Sequence, residues 1–106
     1  MTESRVEILE RMLASDPENP AVLFGLAKEY EKLGRAEAVI ETLKRYLDLA
    51  DDEGNAYGML ARAYEKLGKR TEARAALERG IAAAERHGHP SMAEEYRMIL
   101  ESDYAE

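Results

Sequence analysis

Apolar residues recur every three or four positions along almost the whole chain, which is the spacing that brings side chains to one face of a helix. Leu23, Leu26, Ala27 and Tyr30 share such a face in one stretch. An Asn-Pro pair and single glycines beside the apolar runs are typical start and stop signals. We predict six helices, at about residues 3–14, 20–33, 36–49, 54–67, 70–86 and 91–102.

The five-residue phrase YEKLG occurs at residues 30–34 and again at residues 64–68. Aligned without gaps, residues 20–53 and 54–87 are identical at ten of 34 positions. The identity is concentrated in the second half of the first helix of each copy and in the turn that follows. We expect the tyrosine to close the core of a helical hairpin, the leucine to seal the helix end and the glycine to turn the chain.

The 34-residue period, the bulky-x-x-Leu-Ala-x-x-Tyr helix, the glycine after it and the Ala-x-x-x-Leu helix resemble the tetratricopeptide repeat family. The signature residues are Leu23, Leu26, Ala27 and Tyr30, then Tyr57, Leu60, Ala61 and Tyr64, with Ala73 and Leu77 in a second helix. The resemblance implies an all-α fold, an α-solenoid of antiparallel helix pairs in a single domain. Its parts would be a half-repeat at residues 1–19, full repeats at 20–53 and 54–87, and a capping helix at 88–106.

Composition agrees with helices and argues against several functional classes. Ala, Glu, Leu, Lys and Arg are abundant, whereas the β-branched residues are scarce. The chain has no cysteine, so no disulfide framework or thiolate metal site is expected. A net charge of −7 argues against nonspecific nucleic-acid binding, and no apolar run approaches the roughly 18 residues of a membrane span. We expect a cytoplasmic protein without a cofactor and without a nucleic-acid or membrane partner.

No group of residues indicates catalysis. His87 and His89 invite a metal-binding or enzymatic interpretation, but two histidines separated by one glycine lack the i, i+4 geometry of a helical zinc site. We therefore expect an exposed turn at a helix end, with a metal-binding or enzymatic role as a remote alternative. The start of the last helix is open: Ser91 forms a capping box with Glu94, or His89 is the cap with Pro90 in the first turn.

The resemblance also implies where a partner binds, because the first helix of each repeat lines the concave face in this family. Helix geometry then selects the residues for this groove: Phe24, Lys28, Lys32, Asn55, Met59, Arg62 and Lys66. Four basic side chains in two rows, with apolar contact from Phe24 and Met59, favour an acidic peptide or a partner's C-terminal carboxylate. The clamp that holds chaperone tails in some family members is disfavoured, because Met59 stands in the place of its asparagine and Phe24 in the place of a lysine.

Two questions stay open at this stage. We expect a non-catalytic protein-interaction module, a monomer or weak homo-oligomer that acts as an adaptor or scaffold, and the alternative is self-association through the first or last helix.

Gly25 and Gly58 lie inside helices, where glycine costs about 1 kcal/mol relative to alanine. Each glycine either admits a ligand side chain into the groove wall or permits a close approach between stacked helices.

Overall fold

The computed structural model describes residues 4–105, and this part of the chain contains helices and no strand. The six helices are α1 (Arg5–Ser15), α2 (Pro20–Lys32), α3 (Ala36–Leu49), α4 (Asn55–Lys66), α5 (Arg70–Arg86) and α6 (Pro90–Asp103). Every predicted helix is present, with bounds that differ from the prediction by at most two residues, although the predicted start at residue 3 lies outside the described residues. Within residues 4–105, no helix combines the length and the apolar character that crossing a membrane requires.

The helices group into two compact units, Met1–Ala50 and Asp51–Glu106. In the first unit, α1 packs on the hairpin of α2 and α3; in the second, α6 packs on the hairpin of α4 and α5. A single helical hairpin leaves part of its apolar face uncovered, and a third helix covers some of it. The finer division into a half-repeat, two repeats and a capping helix stays a prediction.

The helix starts follow local capping chemistry. The Ser4 hydroxyl accepts a hydrogen bond from the Glu7 N–H at 3.1 Å, and the Glu7 carboxylate accepts from the Ser4 backbone, which makes a capping box for α1. The Asn19 side chain accepts from two N–H groups in the first turn of α2. Of the two predicted starts for α6, the structure has the one with His89 before the helix and Pro90 in its first turn, but the His89 side chain makes no capping bond.

The glycine of YEKLG ends the helix as predicted. Gly34 has φ 72°, its N–H donates to the Glu31 carbonyl at 3.1 Å, and the Arg35 N–H donates to the Tyr30 carbonyl at 3.0 Å. These two bonds define a Schellman motif, which satisfies carbonyls that a helix end leaves unpaired. The second copy repeats it, with Gly68 at φ 72°, Gly68 to Glu65 at 3.0 Å and Lys69 to Tyr64 at 2.9 Å. The phrase recurs because the same turn is built twice.

The prediction that the leucine of YEKLG seals the helix end is wrong. Leu33 is 57% exposed and Leu67 is 38% exposed. The turn closes through backbone hydrogen bonds, so the side chain at the C-cap position is not needed for closure and extends into solvent.

Each hairpin has a core of the predicted signature residues. In the first unit Leu23 and Leu43 are fully buried, with Leu26, Ala27 and Val39 around them; in the second unit the buried residues include Leu60, Ala61, Ala73 and Leu77. Burying one leucine side chain stabilises the folded state by about 1.5–3 kcal/mol, so these positions hold each hairpin together.

The second unit contains two features that join α6 and the loop before α4 to the hairpin. Buried Asp52 accepts hydrogen bonds from the N–H groups of Gly54 and Ala56, at 2.8 and 2.9 Å, and so caps α4. The Tyr96 hydroxyl of α6 donates to the Gly54 carbonyl at 2.9 Å. A Cβ on Gly58 would lie 2.5 Å from this hydroxyl. Gly58 therefore permits a close approach between α4 and α6, and it does not serve to admit a ligand side chain.

Candidate functional site

The exposed side of α2 carries one aromatic ring and two cations. Phe24 is half-buried, and its ring centroid lies 5.1 Å from that of Tyr46 on α3, tilted by 41°. The Lys28 ammonium lies 5.7 Å from the centroid of the Phe24 ring, within cation–π distance. We call Phe24, Lys28 and Lys32 the α2 row.

The two cations of the α2 row differ in their neighbours. Lys32 lies 3.2 Å from the Glu29 carboxylate, which also pairs with Arg5. Desolvation acts to raise the pKa of Glu29, but hydrogen bonds from Lys32 and Arg5 outweigh it and lower the pKa overall. Lys28 is exposed and makes no ion pair with any of residues 4–105. Lys28 is thus the uncompensated positive charge of this row.

The corresponding side of α4 carries Asn55, Arg62 and Lys66, all exposed, which we call the α4 row. Met59, predicted to add apolar contact here, is only 5% exposed and belongs to the core. The structure therefore leaves the α4 row without an apolar member, and we omit Met59 from the contact surface.

Helix electrostatics explain some of these cations better than others. Lys32 and Lys66 lie in the last turns of α2 and α4, where a positive charge is favoured by the helix dipole. Lys28 and Arg62 lie one turn earlier, at equivalent positions of the two repeats, and the dipole term fades there. The helix dipole therefore accounts for Lys32 and Lys66 better than for Lys28 and Arg62.

The histidines lie at the turn between α5 and α6, as predicted. His87 Nε2 is 3.0 Å from the Asp51 carboxylate, close enough for an ion pair although without hydrogen-bond geometry, and His89 contacts Glu53. A hydrogen bond from Arg86, and next the contact with His87, hold the pKa of Asp51 below its usual value. Among residues 4–105, no three His, Cys, Asp or Glu side chains form a group that could hold a metal ion.

A feature that the sequence did not indicate lies in the first unit. A cleft of about 450 Å³ opens where α1, α2 and α3 meet, with Glu10, Glu41 and Thr42 among its lining residues. Tyr30 borders it, and its hydroxyl donates to Glu10 at 2.7 Å. A signal in the sequence is that Glu41 and Thr42 differ from their counterparts in the second repeat, Ala75 and Ala76.

Fold and repeated signature together define an all-α helical-repeat protein. Family models for the tetratricopeptide repeat match residues 6–59 and residues 54–87, and the chain belongs to the tetratricopeptide repeat family. Tetratricopeptide repeats generally mediate protein–protein interactions, and the family is generally non-catalytic.

One solved structure is similar over most of its length: the solution structure of protein BPP2914 from Bordetella parapertussis. The match has 30% sequence identity and a TM-score of 0.80, and it covers 94% of this chain and 87% of that one. No curated protein matches the chain.

Proposed function

We propose that this chain is a non-catalytic adaptor that binds an acidic peptide of a protein partner through the first helix of each repeat, in the cytoplasm. The α2 row and the α4 row are the contact residues. The observation that carries the proposal is the Lys28 ammonium, exposed, without an ion pair to a described residue, and lying over the half-buried ring of Phe24.

The α2 row suits a peptide that combines a carboxylate with an apolar side chain. Lys28 offers a positive charge that no neighbouring carboxylate compensates, and Phe24 offers the exposed part of a ring that packs against Tyr46. Charged contacts at such a surface speed association and select partners more than they add affinity. The α4 row carries Arg62 at the position equivalent to Lys28, so the first helix of the second repeat offers a basic surface of its own.

The test is affinity capture from native lysate with the wild-type chain, Lys28→Glu and Lys44→Glu as baits. Lys44 is exposed on α3 and outside both rows, so its replacement makes the same charge change as a control. We expect Lys28→Glu to lose partners that the wild type and Lys44→Glu recover, because reversing this charge repels an acidic peptide. Recovery of the same proteins by all three baits would contradict the proposal.

A second candidate function is self-association through a terminal helix. Ile8 and Met12 are one turn apart on α1, and they are 38% and 48% exposed. On α6, Met98 is 59% exposed. Light scattering over a concentration series distinguishes the two functions: self-association predicts a mass that rises with concentration and falls in Met12→Glu, and peptide binding predicts a constant monomer mass.

A further inference from the structure

The cleft of the first unit is separate from the α2 row. Its volume of about 450 Å³ lies within the range of about 300–1,000 Å³ that is usual for small-ligand sites. Leu13 and Leu26 contribute apolar lining, and Glu10 and Glu41 contribute carboxylates from α1 and α3. None of Phe24, Lys28 and Lys32 lines it.

The two carboxylates act on the same part of the cleft. Burial is the main reason why the pKa of Tyr30 rises to about 12. The hydrogen bond to Glu10 and the negative charges of Glu10 and Glu41 raise it further, and the positive charge of Arg35 acts in the opposite direction. Tyr30 therefore stays protonated and keeps Glu10 in place. Glu41 makes no hydrogen bond or ion pair with any residue in the described range, so its charge is available. Arg45 also borders the cleft, one helical turn from Glu41, and donates to the Pro17 carbonyl at 3.2 Å.

Thr42 is the third polar group of interest. It is 7% exposed and lines the cleft, and its hydroxyl has no hydrogen-bond partner among residues 4–105. The Thr42 oxygen is not fully buried, because it opens to the cleft, where it can accept a hydrogen bond from a ligand. Its counterpart in the second repeat, Ala76, is also buried, so only the first of these two positions carries a hydroxyl. The counterpart of Glu41 is also an alanine, so the first repeat alone combines the carboxylate with the hydroxyl.

We propose that this cleft binds the side chain of an arginine from a protein partner. The aliphatic stem would pack on Leu13 and Leu26, and the guanidinium would lie between the carboxylates of Glu10 and Glu41 and donate one N–H to the Thr42 hydroxyl. A guanidinium suits this lining because its planar set of donors can serve several acceptors at once while its stem covers apolar surface. The site is independent of the proposed acidic-peptide surface: either can be absent while the other is present.

The experiment is an NMR titration of the isotope-labelled full chain with N-acetylarginine amide. N-acetylcitrulline amide, the neutral isostere, and N-acetyllysine amide serve as matched probes. We expect the arginine probe to shift the methyl and amide resonances of Leu13, Leu26 and Thr42 with a dissociation constant on the order of 1 mM. Because charge-assisted hydrogen bonds are about twice as strong as neutral ones and guanidinium has the matching fork, citrulline and lysine should bind about tenfold and about threefold more weakly.

Three variants localise the effect on the full chain. Glu41→Gln should weaken arginine binding about fivefold and the isosteric Thr42→Val about threefold, since each removes one acceptor while keeping the shape. Glu72→Gln, an equal charge change at an exposed residue of α5, should leave arginine binding unchanged. Equal shifts with citrulline, equal effects of Glu41→Gln and Glu72→Gln, or no shift at these residues would overturn the proposal.

Discussion

The two hairpins use the same pair of positions in opposite ways. In the first, Phe24 and Tyr46 place two aromatic rings against each other, 5.1 Å apart. The residues 34 positions later are Gly58 and Gly80. The space beside these glycines holds the ring of Tyr96 from α6: a Cβ on Gly80 would lie 2.8 Å from the ring.

The comparison shows that the same two helix positions can hold a pair of rings from the hairpin itself or leave space for a ring from a helix outside the hairpin. The first hairpin supplies its own rings, whose packing is worth about 0.5–1.5 kcal/mol beyond the area buried. The second hairpin leaves a gap, and α6 fills it with a tyrosine that is 7% exposed. Loss of α6 would therefore open the second hairpin, whereas the two rings of the first hairpin pack on each other without a ring from α1.

The largest expected effect on stability comes from removing the ring that fills the space beside Gly58 and Gly80. Tyr96→Ala should lower the free energy of unfolding by about 3–5 kcal/mol, because it leaves a cavity beside Gly58 and Gly80 and removes a buried hydrogen bond. Phe24→Ala, which truncates a half-buried ring, should cost about half as much. Chemical denaturation followed by circular dichroism measures both values. Equal losses of unfolding free energy in the two variants would contradict the claim that only the second hairpin depends on a ring from the helix packed against it, α6.

Smaller effects on stability, opposite in sign, are expected from replacing the two glycines inside α2 and α4. Gly58→Ala should cost about 1–3 kcal/mol, since its Cβ would lie 2.5 Å from the Tyr96 hydroxyl. Gly25→Ala should instead stabilise by up to about 1 kcal/mol, because its Cβ would meet only the Leu9 side chain at 3.8 Å and alanine favours the helix.

A double substitution tests the cause. In the Tyr96→Ala background, Gly58→Ala should become neutral or stabilising, because each of the nearest atoms to its Cβ belongs to Tyr96. A cost that persists in this background would mean that the backbone of α4, and not the tyrosine, requires glycine there.

Local signals were sufficient to predict the helices. Their starts and ends depend on residues within four positions, such as Ser4 with Glu7 or Gly34 with Tyr30. The exposure of Lys28 and Arg62 followed from helical periodicity in the same way. These features need no knowledge of which helices touch.

Contacts between distant residues could not be read from periodicity. The spacing of Met92, Tyr96 and Ile99 predicts an apolar stripe on the last helix, but the position of Tyr96 beside Gly58 depends on how α6 packs on the hairpin. The burial of Met59 and the exposure of Leu33 likewise depend on neighbours from other elements and on the turn. The cleft requires three helices to be placed together, so the sequence contains no more than differences between the repeats, such as Glu41 and Thr42 against Ala75 and Ala76.

The smallest expected effect on stability concerns two tyrosines, one in each unit, whose hydroxyls connect α1 or α6 to the adjacent hairpin. In the first unit Tyr30 of α2 donates to Glu10 of α1; in the second, Tyr104, just after α6, donates to Glu65 of α4. Burial first, and then these hydrogen bonds, raise the pKa of Tyr30 and of Tyr104 to about 12. An unfolded tyrosine ionises near pH 10, so the folded state holds these protons more tightly.

The direction of the pH dependence follows. The contribution of these two tyrosines to stability is fully present below about pH 10 and is lost as the pH rises from about 10 to about 12. Tyr30→Phe and Tyr104→Phe should each cost about 0.5–1.5 kcal/mol at neutral pH and should flatten the alkaline fall in the free energy of unfolding. Ultraviolet titration of the tyrosinate band in each variant identifies which residue ionises last. If a tyrosine ionises near pH 10 in the folded chain, its bond to the glutamate does not hold the helix that packs on that hairpin. If this happens for only one of the two tyrosines, the two units also differ in this contact.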